Sequence, residues 1–193
     1  MNAFFALLLG YACGSIPFGL LLAKAAGQGD IRNIGSGNIG ATNVLRTGRK
    51  GLAAATLLLD LAKGFLPVFI AWRWGETAAG VAALGAVLGH CFPVWLTFRG
   101  GKGVATLAGV CFGIGLFVGL AYAVVWLGLL AVTRISSLAG MSAAVIAPVA
   151  AWAFGFVGAV PFLAVIAVLI LWLHRANIGR LRAGTEPKVG AKT

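Results

Sequence analysis

Between residues 2 and 173 the chain runs through five long apolar stretches, at 2–25, 51–72, 78–96, 104–132 and 138–173. Short polar connectors and one tight turn, RWGET, separate them. A helix needs roughly 20 apolar residues to cross the hydrocarbon core of a bilayer. Only 10% of the residues are charged, against about 25% in soluble domains. The stretches are rich in Leu, Ala and Gly and lack the alternating ~10-residue pattern of a membrane barrel. The expected fold is an all-α integral membrane protein, one polytopic domain over 1–193 with a flexible cytoplasmic tail at 183–193. The opening MNAFFALLLGYACG lacks the basic start of a cleaved signal and reads as a retained first span.

Charge sets the span count. Thirteen of the fifteen basic residues fall in the connectors 24–50, 97–103, 133–137 and 174–193. The positive-inside rule places all four in the cytoplasm. They agree only if 104–132 and 138–173 are each a hairpin of two helices, the first turning near 113–119 (GIGLFVG). That predicts seven transmembrane helices, N-terminus outside and C-terminus cytoplasmic. Five spans with two long single helices is the alternative, and it puts Arg134 outside. The net charge of +11 is then explained by topology and anionic ligands rather than nucleic acid. Cys13, Cys91 and Cys111 lie in or beside apolar runs and read as small packing residues. Asp60 and Lys63 remain inside a span, on one helix face by their i,i+3 spacing. Charges at that depth need a partner. They form either a self-neutralising pair or a pair that orients a nearby site.

The dense polar motifs all fall on the cytoplasmic side: SGNIGATN (36–43), RGGKG (99–103), RISS (134–137) and HRANIGRLRAGTEPK (174–188). Gly37 and Gly40 let backbone N–H groups approach an anion, with Ser36, Thr42 and Asn43 adding side-chain donors. In RGGKG, Gly101 and its neighbouring glycines flank Lys102 just before a helix start, a second anion site. Neither loop has the GxxxxGK[ST] spacing of a nucleotide-binding loop. His90 and His174 have no acidic partner nearby in sequence, so no metal is expected. His90 is a candidate substrate-binding residue with a structural role as the alternative. His174 shares a helix face with Asn177 and reads as a ligand-binding or polarising group. The pocket holds anion-binding groups and few carboxylates, with access to lipid. It suits two phosphorylated partners, one of them greasy. A transporter of organophosphates is the rival reading, since broken spans and intramembrane charge occur there too.

SGNIGATN, GHCFPVWLTFRGGKG, RISS and HRANIGRLRAGTE, in this order, resemble the hallmark blocks of the bacterial acyl-phosphate:glycerol-3-phosphate acyltransferases (the PlsY family). DLAKG at 60–64 also looks like a feature of that family. The resemblance covers nearly the whole chain. It implies a seven-helix inner-membrane enzyme with a cytoplasmic-side site. The enzyme would move a fatty acyl group from acyl phosphate to the 1-hydroxyl of glycerol 3-phosphate, with no cofactor. The family lacks the HX4D motif of other glycerol-phosphate acyltransferases, and no aspartate stands five residues after His90 or His174. Roles follow by resemblance and chemistry. The 36–43 loop, with Ser36, Gly37, Asn38, Gly40, Thr42 and Asn43, would cradle the acyl-phosphate phosphate, and Lys102 would bridge the phosphates. Arg46, His174 and either Ser136 or Ser137 would hold glycerol 3-phosphate. Asn177 would polarise the acyl carbonyl. Direct attack is expected, with the proton taken by a substrate phosphate or by His174.

Overall fold

The computed structural model describes residues 2–190, so the last three residues of the expected tail lie outside the described residues. Ten α-helices follow one another among the described residues, with no strand. In chain order they are α1 (Asn2–Gly14), α2 (Phe18–Ala25), α3 (Ala41–Leu45), α4 (Lys50–Ala71), α5 (Glu76–Cys91), α6 (Val104–Ile114), α7 (Leu116–Thr133), α8 (Ser136–Ala153), α9 (Val160–Leu173) and α10 (Arg175–Arg182).

Five of the helical segments are long and apolar enough to cross a membrane: Asn2–Ala25, Lys50–Trp74, Glu76–Leu96, Leu116–Thr133 and Ser136–Ala153. A sixth is Val157–Leu173, if it is counted together with Arg175–Arg182, from which it is bent by 58°. The apolar helix α6 has only 11 residues, about 16 Å at 1.5 Å per residue. Both long apolar stretches divide, the first at Gly115 inside the expected 113–119 turn and the second between Ala153 and Val160.

The expected first span, 2–25, is present as one segment, with its helix interrupted between Gly14 and Phe18. Pro17 has no N–H to continue the ladder and steers Ile16 away from helical dihedrals. Two carbonyls are freed at the break. Ser15 O accepts from the indole Nε1 of Trp95 at 2.7 Å, and Ile16 O accepts from Lys63 Nζ at 2.8 Å. Polar backbone at membrane depth persists only where protein groups satisfy it in this way.

Small residues hold the bundle together. Association in lipid gains little from burying apolar surface, so close backbone approach and dispersion dominate. α1 lies on α5 through Gly10 and Gly14; a Cβ on Gly14 would stand 2.0 Å from the Ala86 carbonyl oxygen. α4 lies on α6 in the same way, and a Cβ on Gly109 would stand 1.8 Å from Leu61 O. α5 is the centre of the core, burying Ala79, Ala82, Ala83, Ala86 and Val87. Large apolar side chains point outward instead, among them Val124, Val132, Trp152 and Val168. In water such a belt would drive association; against acyl chains it is matched to its solvent.

Candidate active site

The polar connectors build the site from both ends of the chain. The 36–43 loop is organised by Asn43, which α3 buries to 1% exposure. Its Oδ1 accepts from Ser36 N at 3.0 Å, from Ser36 Oγ at 3.3 Å and from Arg46 Nη1 at 3.3 Å. Its Nδ2 donates to Ile31 O at 2.8 Å and to Ile34 O at 3.0 Å. The side chain is thus a brace inside the loop, with its hydrogen-bonding capacity engaged there. Asn38 Oδ1 accepts from Gly40 N at 3.2 Å, so this amide is also turned inward. Gly37 has φ +69°, a conformation that disfavours any side chain. Ser36, Gly37 and Asn38 line one wall of a cavity of about 220 Å³; Arg99, Gly101 and Lys102 line the other.

The second glycine loop is held by the core. Gly100 N donates to Cys91 O and Gly101 N to His90 O, both at 3.0 Å. These bonds zip the loop onto the last turn of α5, and no side chain at Gly100 or Gly101 is tolerated there. A Cβ on Gly101 would stand 2.0 Å from His90 Nε2. His90 is only 4% exposed. The structure places it behind the loop, where it does not line the cavity.

Lys102 joins two clusters. Besides lining the cavity, its ammonium donates a short hydrogen bond to Asn177 Oδ1. Asn177 Nδ2 donates to Glu186 Oε1 at 2.6 Å. Ser137 Oγ donates to the same oxygen at 2.6 Å, and Arg180 Nε to Glu186 Oε2 at 2.7 Å. Ser136 Oγ meets Thr42 Oγ1 at 3.1 Å, which ties the first loop to the start of α8. Arg46 packs its guanidinium against Gly35 at the back of the first loop. The structure therefore brings Lys102, Ser137 and Asn177 together around one carboxylate and seats Thr42 and Ser136 against each other. It leaves Asn43 and His90 as internal supports.

Electrostatics follow from this crowding. Burial, reinforced by Arg180, Arg175 and Arg46, holds Lys102 below the ordinary lysine value, while Glu186 pulls the other way. Burial opposes ionisation of Glu186, but the bonds from Ser137, Asn177 and Arg180 outweigh it and hold its carboxyl below the usual glutamate value. His174, at the bend after α9, has Nδ1 2.8 Å from Ile170 O. A carbonyl only accepts, so Nδ1 carries the proton and Nε2 keeps its lone pair. Burial lowers the His174 pKa further than the Ile170 bond raises it, which favours the neutral ring.

Glu186, Arg180 and Arg99 are absent from the sequence-based list of candidates. The signal available for Glu186 was its isolation as the one acid in a strongly basic terminal segment. The segment from 185 to 189 is tied down. Thr185 N donates to Arg180 O at 2.9 Å, Val189 N to Arg134 O at 2.7 Å, and Arg134 Nη2 to Val189 O at 3.0 Å.

The family model described as glycerol-3-phosphate acyltransferase matches residues 4–184. The chain belongs to the glycerol-3-phosphate acyltransferase family. A family member from Erythrobacter litoralis is 70% identical over 97% of this chain and 95% of its own. One from Methylorubrum populi is 59% identical over 97% of this chain and 93% of its own. Two crystal structures of PlsY (YgiH), an integral membrane family member, share the fold. The glycerol 3-phosphate form superposes with a TM-score of 0.93 at 41% identity, covering 98% of this chain and 96% of that one. The lysophosphatidic acid form gives 0.89 at 39% identity, covering 97% and 95%. The apolar belt described above is accordingly the membrane-facing surface of an integral membrane acyltransferase fold.

Proposed function

We propose that the protein transfers a fatty acyl group from acyl phosphate to the 1-hydroxyl of glycerol 3-phosphate, releasing lysophosphatidic acid and inorganic phosphate for phospholipid synthesis. Solved relatives carry glycerol 3-phosphate in one form and lysophosphatidic acid in the other, the acceptor and the product of this reaction. The observation that carries the reading is Lys102, a cation common to the glycine-walled cavity and to the Ser137–Asn177–Glu186 cluster. One positive charge between two polar subsites suits two phosphates that must approach each other.

The chemistry needs little from the protein beyond placement. The hydroxyl oxygen of glycerol 3-phosphate forms a bond to the acyl carbonyl carbon. The C–O bond to phosphate breaks, and phosphate leaves with the electron pair. The hydroxyl proton passes to a phosphate oxygen or to His174 Nε2, whose lone pair is left free when Nδ1 donates to Ile170 O. Asn177 Nδ2 would turn from Glu186 to the carbonyl oxygen, an oxyanion-type contact worth about 3 kcal/mol. Ser36 and the backbone around Gly37 receive the donor phosphate; Arg46, His174 and Ser136 or Ser137 receive the acceptor. The mixed anhydride is already activated and its phosphate is a good leaving group, so attack is direct, with placement supplying much of the rate.

Seven spans in the bacterial inner membrane complete the reading. The five long segments, α9 and the short α6 make that number, with the N-terminus outside and the basic connectors and the site facing the cytoplasm. A phosphate-release assay on purified protein tests the donor. Release with acyl phosphate that depends on glycerol 3-phosphate is the expected result. Equal turnover with acyl-CoA or acyl carrier protein and none with acyl phosphate rejects it.

A further inference from the structure

The buried Asp60–Lys63 pair lies outside the reaction chemistry, yet each partner reaches one of the two glycine loops. Lys63 Nζ stands 2.7 Å from Asp60 Oδ1, with both side chains 2% exposed. Lys63 also donates to Ile16 O, the carbonyl freed where the first span breaks. The segment beyond the break, α2, supports the first loop directly: a Cβ on Gly19 would stand 2.0 Å from Ile39 O. Asp60 Oδ1 lies 3.9 Å from His90 Nδ1, a buried nitrogen with no hydrogen-bond partner among the described residues. The opposite edge of that ring presses on Gly101, next to Lys102. Two routes therefore leave one ion pair. Lys63, Ile16, α2 and Ile39 lie on one; Asp60, His90 and Gly101 lie on the other.

We infer that Asp60 and Lys63 are positioning residues, a hub that holds both substrate loops in mutual register. A buried ion pair contributes little net stability, because the cost of removing two charges from water offsets their attraction. Self-neutralisation would need only the two side chains. Here each has a second contact, and each second contact leads to a loop. The two loops must place two phosphates so that one hydroxyl meets one carbonyl carbon, and a misplacement of about 1 Å can cost 100-fold in rate.

The inference rests on the reading that the loops hold the substrate phosphates. Wild-type turnover in the donor assay tests that reading separately, and the comparison below uses whichever donor the wild type accepts. The test variant is Asp60→Leu/Lys63→Met, which removes both charges and leaves neither one unpaired. The expected result is a monodisperse protein with a melting temperature close to wild type. Its KM should rise about tenfold for donor and acceptor together. Unchanged KM and kcat overturn the inference, as does a lower kcat alone accompanied by a lowered melting temperature, which reports only a smaller folded fraction. A rise confined to one substrate overturns the joint role. Should the double variant fail to fold, His90→Gln is read instead, since it withdraws the ring from Gly101 and leaves the ion pair intact. A higher KM for donor and acceptor together supports the hub; a rise confined to one substrate, or wild-type KM for both, rejects it.

Discussion

The two glycine loops face each other across one cavity but are held by opposite means. The first, 36–43, is braced from inside by five hydrogen bonds to the side chain of Asn43. The second, 99–103, has no brace of its own; it borrows rigidity from α5 through two backbone bonds and the ring of His90. A loop wired through one side chain can fail at one residue without disturbing the bundle. A loop laid on a core helix moves only if the helix or its backing moves. The first loop is thus the more separable module, and the second carries the chemistry closer to the fold.

The largest expected effect is on the second loop. Lys102→Met removes the one cation common to both clusters, and kcat/KM should fall about 1,000-fold, as for loss of a strong charge-stabilising contact. The melting temperature should hardly change. Next is Gly101→Ala, whose methyl meets His90 at 2.0 Å. Displacing the loop should cost about 100-fold in kcat/KM, and steady-state kinetics reads it. Asn43→Ala comes third and discriminates best between the loops. It leaves buried donors and acceptors unpaired and should destabilise the first loop by about 2 kcal/mol. Accelerated proteolysis within 31–46, with the helices intact, is the check. The smallest effect is expected at Gly40, where φ is −80° and the nearest atom to a Cβ is Asn38 Oδ1 at 3.7 Å. Gly40→Ala should keep activity within about twofold, whereas Gly37→Ala must adopt φ +69° at a cost of about 1 kcal/mol.

A pH profile sharpens the same contrast. The Lys102 pKa is lowered from 10.5, so its charge, present below the lowered value, is lost as pH rises through it. Activity should decline on the alkaline side earlier than an ordinary lysine predicts. Lys102→Arg should move that limb upward if it retains activity. Glu186, lowered from 4.5, behaves in the opposite sense. Its bonds to Ser137, Asn177 and Arg180 persist at neutral pH and loosen as pH falls through its lowered value.

Much of this was legible in the sequence, and the remainder was hidden for physical reasons. Apolar length and the grouping of basic residues exposed the all-helical membrane fold and the division of the two long stretches. Clustering of Gly with Ser, Thr, Asn and Lys exposed both loops. What one dimension does not encode is the direction in which a side chain points. Asn43 has the same chemistry as a phosphate ligand and as a brace; only the carbonyls of Ile31 and Ile34 behind it decide. His90 next to a core cysteine gave no hint that its ring would back Gly101. Glu186 stands alone as an acid among bases in the terminal segment, and its partners Ser137 and Asn177 come from two different helices.

The shortness of α6 has a consequence for the greasy substrate. With 11 residues against 18 in α7, it begins beside the interiors of α7 and α8 rather than their ends: Tyr122 Oη donates to Val104 O at 2.9 Å, and a Cβ on Gly140 would stand 2.8 Å from Val104 Cγ2. In the segment 92–98 that leads into the loop, Val94, Trp95 and Phe98 are exposed. An acyl tail drawn out to meet a reagent at the water surface would give up about 0.8 kcal/mol for each methylene leaving the lipid, or about 2.4 kcal/mol for three. Lowering the ammonium group to the tail instead leaves those methylenes where they are. In the seven-span arrangement proposed above, the shortness of this one helix would set how far a fatty chain must climb before it can react.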